Sequence, residues 1–288
     1  MVCKLIQTTE SKDENLDIGH YTNMGLIARA LTQAGYVLYA MDLLGHGFSE
    51  GERFYIPRGD YTIHFNDLDA FVRFAISDYH ASPSSSTLPF FLMGDSYGGT
   101  LALHVARKWQ DYPTDAPSST NFAGLVLASP GILADLPPLV VVWFLRYGLA
   151  PFFPKWTPFF MPDPLPAELN WKEEAVRLTY TSDTEKKRGL MADKPFSLGT
   201  ALGLLRATED LQKDVIKGLA IPFAVAHGTL DEAVPIAGTD LLLEQCVTKP
   251  EDRAVKRVVG AFHDLLSEQD RQETMQFFID WMNIRVTN

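Results

Sequence analysis

The pentapeptide Gly94-Asp95-Ser96-Tyr97-Gly98 constrains this chain more than any other stretch. It follows the apolar run Pro89-Phe90-Phe91-Leu92-Met93 and precedes a helical pattern, Thr100 to Trp109. A G-x-S-x-G motif between a strand and a helix predicts a very tight turn, with the serine at its tip. The backbone comes so close to itself there that Gly94 and Gly98, with Gly99 beyond, are read as positions without room for a Cβ. With 20 Gly and 14 Ser in 288 residues, about 0.07 such pentapeptides arise by chance. The motif is therefore read as a signal, and Ser96 as a nucleophile.

Composition limits what such a turn can belong to. A length of 288 residues suits one α/β domain with an insertion, or two small domains. The formal net charge of −11 argues against a nucleic-acid surface and against purely electrostatic attachment to anionic lipid. Two cysteines, Cys3 and Cys246, make neither a disulfide framework nor a zinc motif. Residues 1–15 are polar and charged after Ile6 and do not read as a secretory signal, so a reducing, cytoplasmic setting is expected. The apolar stretch from Leu136 to Phe153 is broken by Arg146, Pro137, Pro138 and Pro151, which disfavours a membrane span.

Strand-like runs at Tyr36–Met41, Phe90–Met93, Gly124–Ala128, Ile221–Ala226 and Ala254–Val259 alternate with helical patterns, among them Phe65 to Ser77 and Arg271 to Met282. That alternation predicts an α/β fold, a mostly parallel sheet flanked by helices, with its ligand site at the carboxyl ends of the strands. Residues 131–206 lack a clear strand. They are read as a helical cap inserted between two parts of the core, 1–130 and 207–288. Eight aromatics crowd Val140 to Met161: Trp143, Phe144, Tyr147, Phe152, Phe153, Trp156, Phe159 and Phe160. Most are expected to fasten the cap to the core. Trp143, Phe144, Phe152 and Phe153 are the candidates for lining an apolar substrate cleft or touching a membrane.

A serine hydroxyl needs a neighbouring base, and that base needs an orienting carboxylate. Of seven histidines, His263 stands out, because it follows the last strand-like run in Gly260-Ala261-Phe262-His263-Asp264. His104 is placed on the flank of the helix after the turn, His64 and His80 in polar surface surroundings, and His46 in a structural loop. Asp231 follows a strand through His227-Gly228-Thr229-Leu230, whereas Asp264, adjacent to His263, would point away from it. Asp240 is expected inside a helix.

Four stretches together resemble the monoacylglycerol lipase-like, or lysophospholipase-like, branch of the α/β-hydrolases. They are Asp42 to Gly51 (D-x-x-G-H-G-x-S-x-G), Gly94 to Gly99, His227 to Pro235, and Gly260 to Glu268. The order Ser96, Asp231, His263 is the one this superfamily uses. The resemblance implies Ser96 as nucleophile, His263 as general base then acid, Asp231 as its partner, and the Tyr97 N–H as an oxyanion donor. It implies small lipid esters as substrates, no metal or organic cofactor, and peripheral membrane contact through the cap.

The chain departs from this pattern in two places. The turn carries Asp95 and Tyr97 where the branch often has His or Glu, and Met, a G-[DE]-S-Y-G-G form that serine carboxypeptidases share. In addition, no His-Gly pair precedes His20 to supply a second oxyanion N–H, and upstream strands are missing unless Val2–Ile6 serves as one. Asp17–Gly19 is the candidate substitute. Two alternatives stay open: a truncated or catalytically impaired homologue that binds lipid or a partner, and a serine aminopeptidase on the same fold.

Overall fold

Strand residues of this chain are apolar on both faces, and the structure shows why. In β3 (Pro89–Asp95), Phe90 and Leu92 enter one buried cluster while Phe91 and Met93 enter another. In β4 (Asn121–Ala128), Leu125 and Leu127 face the first cluster, Val126 and Ala128 the second. In β5 (Phe223–Gly228), Phe223 and Val225 alternate with Ala224 and Ala226 in the same way. Successive side chains leave a strand on opposite faces, so a sheet covered on both sides needs apolar residues at every position.

The computed structural model describes residues 2–8, 22–80, 89–117, 121–159, 166–181, 196–267 and 269–286. With β1 (Val2–Thr8), β2 (Tyr36–Asp42) and β6 (Arg253–Val258), the described residues form a sheet of six strands in the order β2-β1-β3-β4-β5-β6. Strands β3 to β6 pair in parallel. β1 lies antiparallel between β2 and β3, with Val2 opposite Asp42 and Cys3 opposite Gly94. Val2–Ile6 is thus a strand inside the sheet. It runs so that its first residues, and not its last, lie at the end where β2 and β3 finish.

Helices α1 (Thr22–Gln33) and α9 (Arg271–Val286) cover the second face through Ile27, Leu31, Phe278 and Met282. The opposite face carries α2 (Thr62–His80) and α3 (Tyr97–Asp111). Asp69 of α2 joins these two, accepting from Lys108 and from the Trp109 indole N–H of α3. Between β4 and β5, the described residues form short helices: α4 (Leu139–Trp143), continued by a π-helical turn at Phe144–Leu149, then α5 (Ala167–Asn170) and α6 (Glu174–Tyr180). α7 (Leu198–Asp210) follows and runs across the expected boundary at residue 206. Ser197 caps α7 by accepting from the Thr200 N–H. α8 (Ala237–Gln245) contains Asp240 and lies between β5 and β6.

Candidate active site

The site stands at the carboxyl end of β3. Ser96 sits between β3 and α3 with φ 55° and ψ −123°, a conformation that L-residues rarely adopt. Three hydrogen bonds hold it there. Its N–H donates to Ala128 O at 3.0 Å, and its carbonyl accepts from Gly99 and Gly131 at 2.9 and 3.0 Å. A Cβ on Gly94 would lie 2.4 Å from Gly98 O, so the turn closes only on glycine.

Asp231 and His263 reach Ser96 from β5 and β6. Gly228 ends β5, and Asp231 follows in a turn whose Thr229 and Leu230 N–H groups donate to Val258 O and Ala261 O. Those two bonds fasten the acid turn to the loop that carries His263. Ser129, also at positive φ (40°), donates its hydroxyl to His263 O at 2.9 Å and fixes the same loop from β4.

The structure brings Ser96, His263 and Asp231 into one hydrogen-bonded chain. His263 Nε2 lies 2.9 Å from Ser96 Oγ, and His263 Nδ1 lies 2.7 Å from Asp231 Oδ2. Burial disfavours the charged form of Asp231, but hydrogen bonds from His227 and His263 outweigh it and lower its pKa to about 2. An ionised Asp231 can only accept, so Nδ1 of His263 carries the proton and Nε2 is left to accept from the serine hydroxyl. Burial also disfavours the imidazolium of His263. The hydrogen bond and charge of Asp231, with Asp95 and Asp264 adding, more than offset this and raise its pKa above the ordinary value. Asp264 itself turns away: it accepts from the Trp171 indole N–H at 2.7 Å and from the Ser267 hydroxyl.

Three other histidines differ from their sequence reading or extend it. His64 is fully buried, not at a polar surface, donating from Nε2 to Leu44 O at 3.0 Å and accepting from the Tyr97 hydroxyl at 3.3 Å. His104 is buried against α7, bonded to Ala207 O at 2.9 Å, rather than facing outward from the flank. The apolar pattern of α2 and α3 does not reveal that the Leu44 loop and α3 cover His64 and that α7 covers His104. His46 is a buried loop histidine that donates to Leu44 O, with its pKa lowered to about 3 chiefly by burial. The loop around it closes on Asp42, whose carboxylate accepts from the Phe48 N–H and whose carbonyl accepts from the Ser49 hydroxyl.

Tyr97 opens α3, where a helix has N–H groups without intrahelical acceptors. Asp17–Gly19 and Phe160 lie outside the described residues. β1 leaves the sheet at Thr8, beside Tyr36 and away from the end where Ser96 sits. The aromatics do not fasten the inserted segment as expected. Trp143, Phe144, Phe152, Phe153 and Phe159 are 62, 52, 74, 57 and 96% exposed, and Tyr147 and Trp156 are exposed too. Among the described residues no group of His, Cys, Asp and Glu is placed to hold a metal ion. No described helix is long and apolar enough to cross a membrane.

Residues 18–270 match the model of the family described as serine aminopeptidase, S33. The chain is 26% identical over 260 residues to the monoacylglycerol lipase of Mycolicibacterium smegmatis, covering 89% of this chain and 81% of that protein. It is 28% identical over 242 residues to the human monoglyceride lipase, covering 84% and 71%. A crystal structure of a soluble variant of the monoglyceride lipase of Saccharomyces cerevisiae, in complex with a substrate analog, superposes with a TM-score of 0.72. That match is at 18% identity and covers 100% of this chain and 92% of that one, so it speaks for the fold. The chain belongs to the serine aminopeptidase, S33, family of α/β-hydrolases and is similar within it to monoglyceride lipases.

Proposed function

We propose that this protein is a serine ester hydrolase that cleaves monoacylglycerols and related small lipid esters through an acyl-enzyme on Ser96. The observation that carries the reading is the hydrogen-bond chain Ser96–His263–Asp231, at 2.9 and 2.7 Å. Ser96 Oγ attacks the ester carbonyl and gives its proton to His263 Nε2. The carbonyl oxygen becomes an oxyanion, and in this reading the Tyr97 N–H donates to it. The C–O bond to the alcohol then breaks, and the glycerol oxygen leaves with the proton from His263. Water repeats the sequence and releases the fatty acid. No cofactor enters these steps. A single oxyanion donor would cost about 10²–10³ in rate relative to a pair.

Lipid esters are favoured by two independent supports. The relatives carry lipase names. The segment from Leu139 to Phe159 displays large apolar side chains, Leu139 81% and Val140 73% exposed beside the aromatics, which suits contact with a lipid surface. Peripheral membrane contact through this segment belongs to the same reading. The family description favours a second reading, an aminopeptidase. A fluorophosphonate probe should label the wild type and not Ser96→Ala, and a panel of monoacylglycerol, lysophospholipid and aminoacyl-amide substrates should show turnover of the esters. Turnover of the amides alone would move the protein to the second reading. Lipid binding without labelling or turnover would make it an impaired homologue.

A further inference from the structure

Asp231 is held by two imidazoles, and the catalytic scheme above uses only one. His227, the last residue but one of β5, is fully buried beside it. Its Nε2 lies 3.1 Å from Asp231 Oδ2 and 3.0 Å from Val234 O, and its Nδ1 lies 2.7 Å from the Thr239 hydroxyl of α8. A carbonyl and a carboxylate only accept, so Nε2 carries a proton, and Nδ1 pairs with the Thr239 hydroxyl. The same Asp231 oxygen also accepts a hydrogen bond from His263 Nδ1 at 2.7 Å. Its other oxygen accepts from the N–H groups of Ala233 and Val234 at 3.0 and 2.8 Å. A carboxylate offers about four acceptor positions, and here four donors fill them.

We infer that His227 is a positioning residue for the Ser96 site, holding the Asp231 oxygen that orients His263 and sharing its negative charge between two rings. The inference rests on the hydrolase reading for its meaning, but on geometry for its support. With His227 in place, His263 receives only part of the acceptor strength of Oδ2. Without it, His263 becomes the sole side-chain donor to that oxygen, and its imidazolium is bound more strongly. The bond from His227 to Val234 O also ties the backbone of the acid turn to β5, so that Asp231 keeps one rotamer.

The charged groups around this pair are few. Asp95 from β3 and Asp264 from the His263 loop add negative potential at His263. Arg257 of β6 lies opposite His227 in register, but its guanidinium is engaged by Asp240 of α8. These groups stay constant when His227 is replaced, so a change at His263 reports the loss of the shared donor.

The test is an NMR titration of the His263 imidazole in the full chain, for the wild type, His227→Leu, His227→Gln and Thr239→Val. Leu removes the donor. Gln can place an amide N–H near the Nε2 position, and Val removes only the hydroxyl that pairs with Nδ1 and orients the ring. The expected result is a His263 midpoint raised by about one pH unit in His227→Leu, raised by less in Thr239→Val, and near wild type in His227→Gln. Fluorophosphonate labelling at a pH below the measured wild-type midpoint should slow by about tenfold in His227→Leu, because each unit there changes the neutral fraction tenfold. An unchanged midpoint in His227→Leu, or equal shifts in the Leu and Gln variants, overturns the inference. If His227→Leu does not fold, an unchanged midpoint in Thr239→Val does so. If the wild-type serine resists the probe, the hydrolase reading fails, and the imidazole titration still decides the role of His227.

Discussion

Gly228→Ala should inactivate the site without touching any side chain in it. A Cβ at Gly228 would lie 2.2 Å from Phe262 O and 2.5 Å from Ala261 O. Both atoms are backbone, in the two residues before His263, so neither can rotate away. Real Cβ contacts do not fall below 3.0 Å, and the loop must therefore retreat by about 0.8 Å at the least. The His263 Nε2 to Ser96 Oγ separation of 2.9 Å then stretches to roughly 3.7 Å, beyond a hydrogen bond. A misplacement near 1 Å costs on the order of 10²-fold in rate. Overpacking of this kind destabilises by about 1–3 kcal/mol, and in a chain of this size each kcal/mol lowers Tm by about 2–4 °C. Steady-state kinetics on a soluble aryl ester should show kcat down about a hundredfold with KM little changed, beside a thermal melt lowered by a few degrees. Gly218→Ala is the control, since its added methyl meets only the Arg107 guanidinium, the end of a flexible side chain. Wild-type kcat in Gly228→Ala with an unperturbed melt would refute the reasoning, because the His263 loop would then be free to move without consequence.

Asp231→Asn should retain the fold and lose about 10³–10⁴ in kcat, because an amide can hold His263 in the wrong tautomer; single-turnover acylation measures it. His263 acts as a base only when neutral, and Asp231 raises its pKa. The acid limb of kcat/KM should therefore lie above the ordinary histidine value of 6.5 and move down in Asp231→Asn, as a pH–rate profile would show. His46 stays neutral in the fold down to about pH 3, largely through burial, while the unfolded chain binds a proton below 6.5. Its contribution to stability is complete above pH 6.5 and is lost as the pH falls toward 3, on the order of 5 kcal/mol. Urea unfolding from pH 7 to 4 should show a shallower decline in His46→Phe than in the wild type.

The alternation of strand and helix was legible because its cause is local. β2 to β6 fall within three residues of the apolar runs that announce them, and α2, α3 and α9 extend the expected helices at their ends. α1 was not read in advance, since Thr22–Gln33 opens among polar residues and its apolar side becomes evident only against Phe91 and Phe278. The antiparallel course of β1 was equally hidden, because a seven-residue strand carries no mark of its direction. His64 and His104 were misplaced for a related reason: each lies on a helix whose covering partner comes from elsewhere in the chain. Most of the aromatics from Trp143 to Phe159 read as packing residues by composition, with Trp143, Phe144, Phe152 and Phe153 set apart as cleft or membrane candidates, and the structure exposes all seven.

Local chemistry is what a linear sequence can carry. The glycines around Ser96, the acid four residues beyond His227, and the histidine after the last strand are short-range patterns, each imposed by a turn that the backbone must make within a few residues. Distances between those turns are another matter. Ser96 and His263 are 167 positions apart and meet at 2.9 Å because β3, β4, β5 and β6 end at one edge of a parallel sheet. The pairing of two imidazoles on one oxygen of Asp231 depends on the same edge, together with the packing of Thr239 on β5. Sheet register and helix packing are sums of many weak long-range contacts, and only the folded chain adds them up.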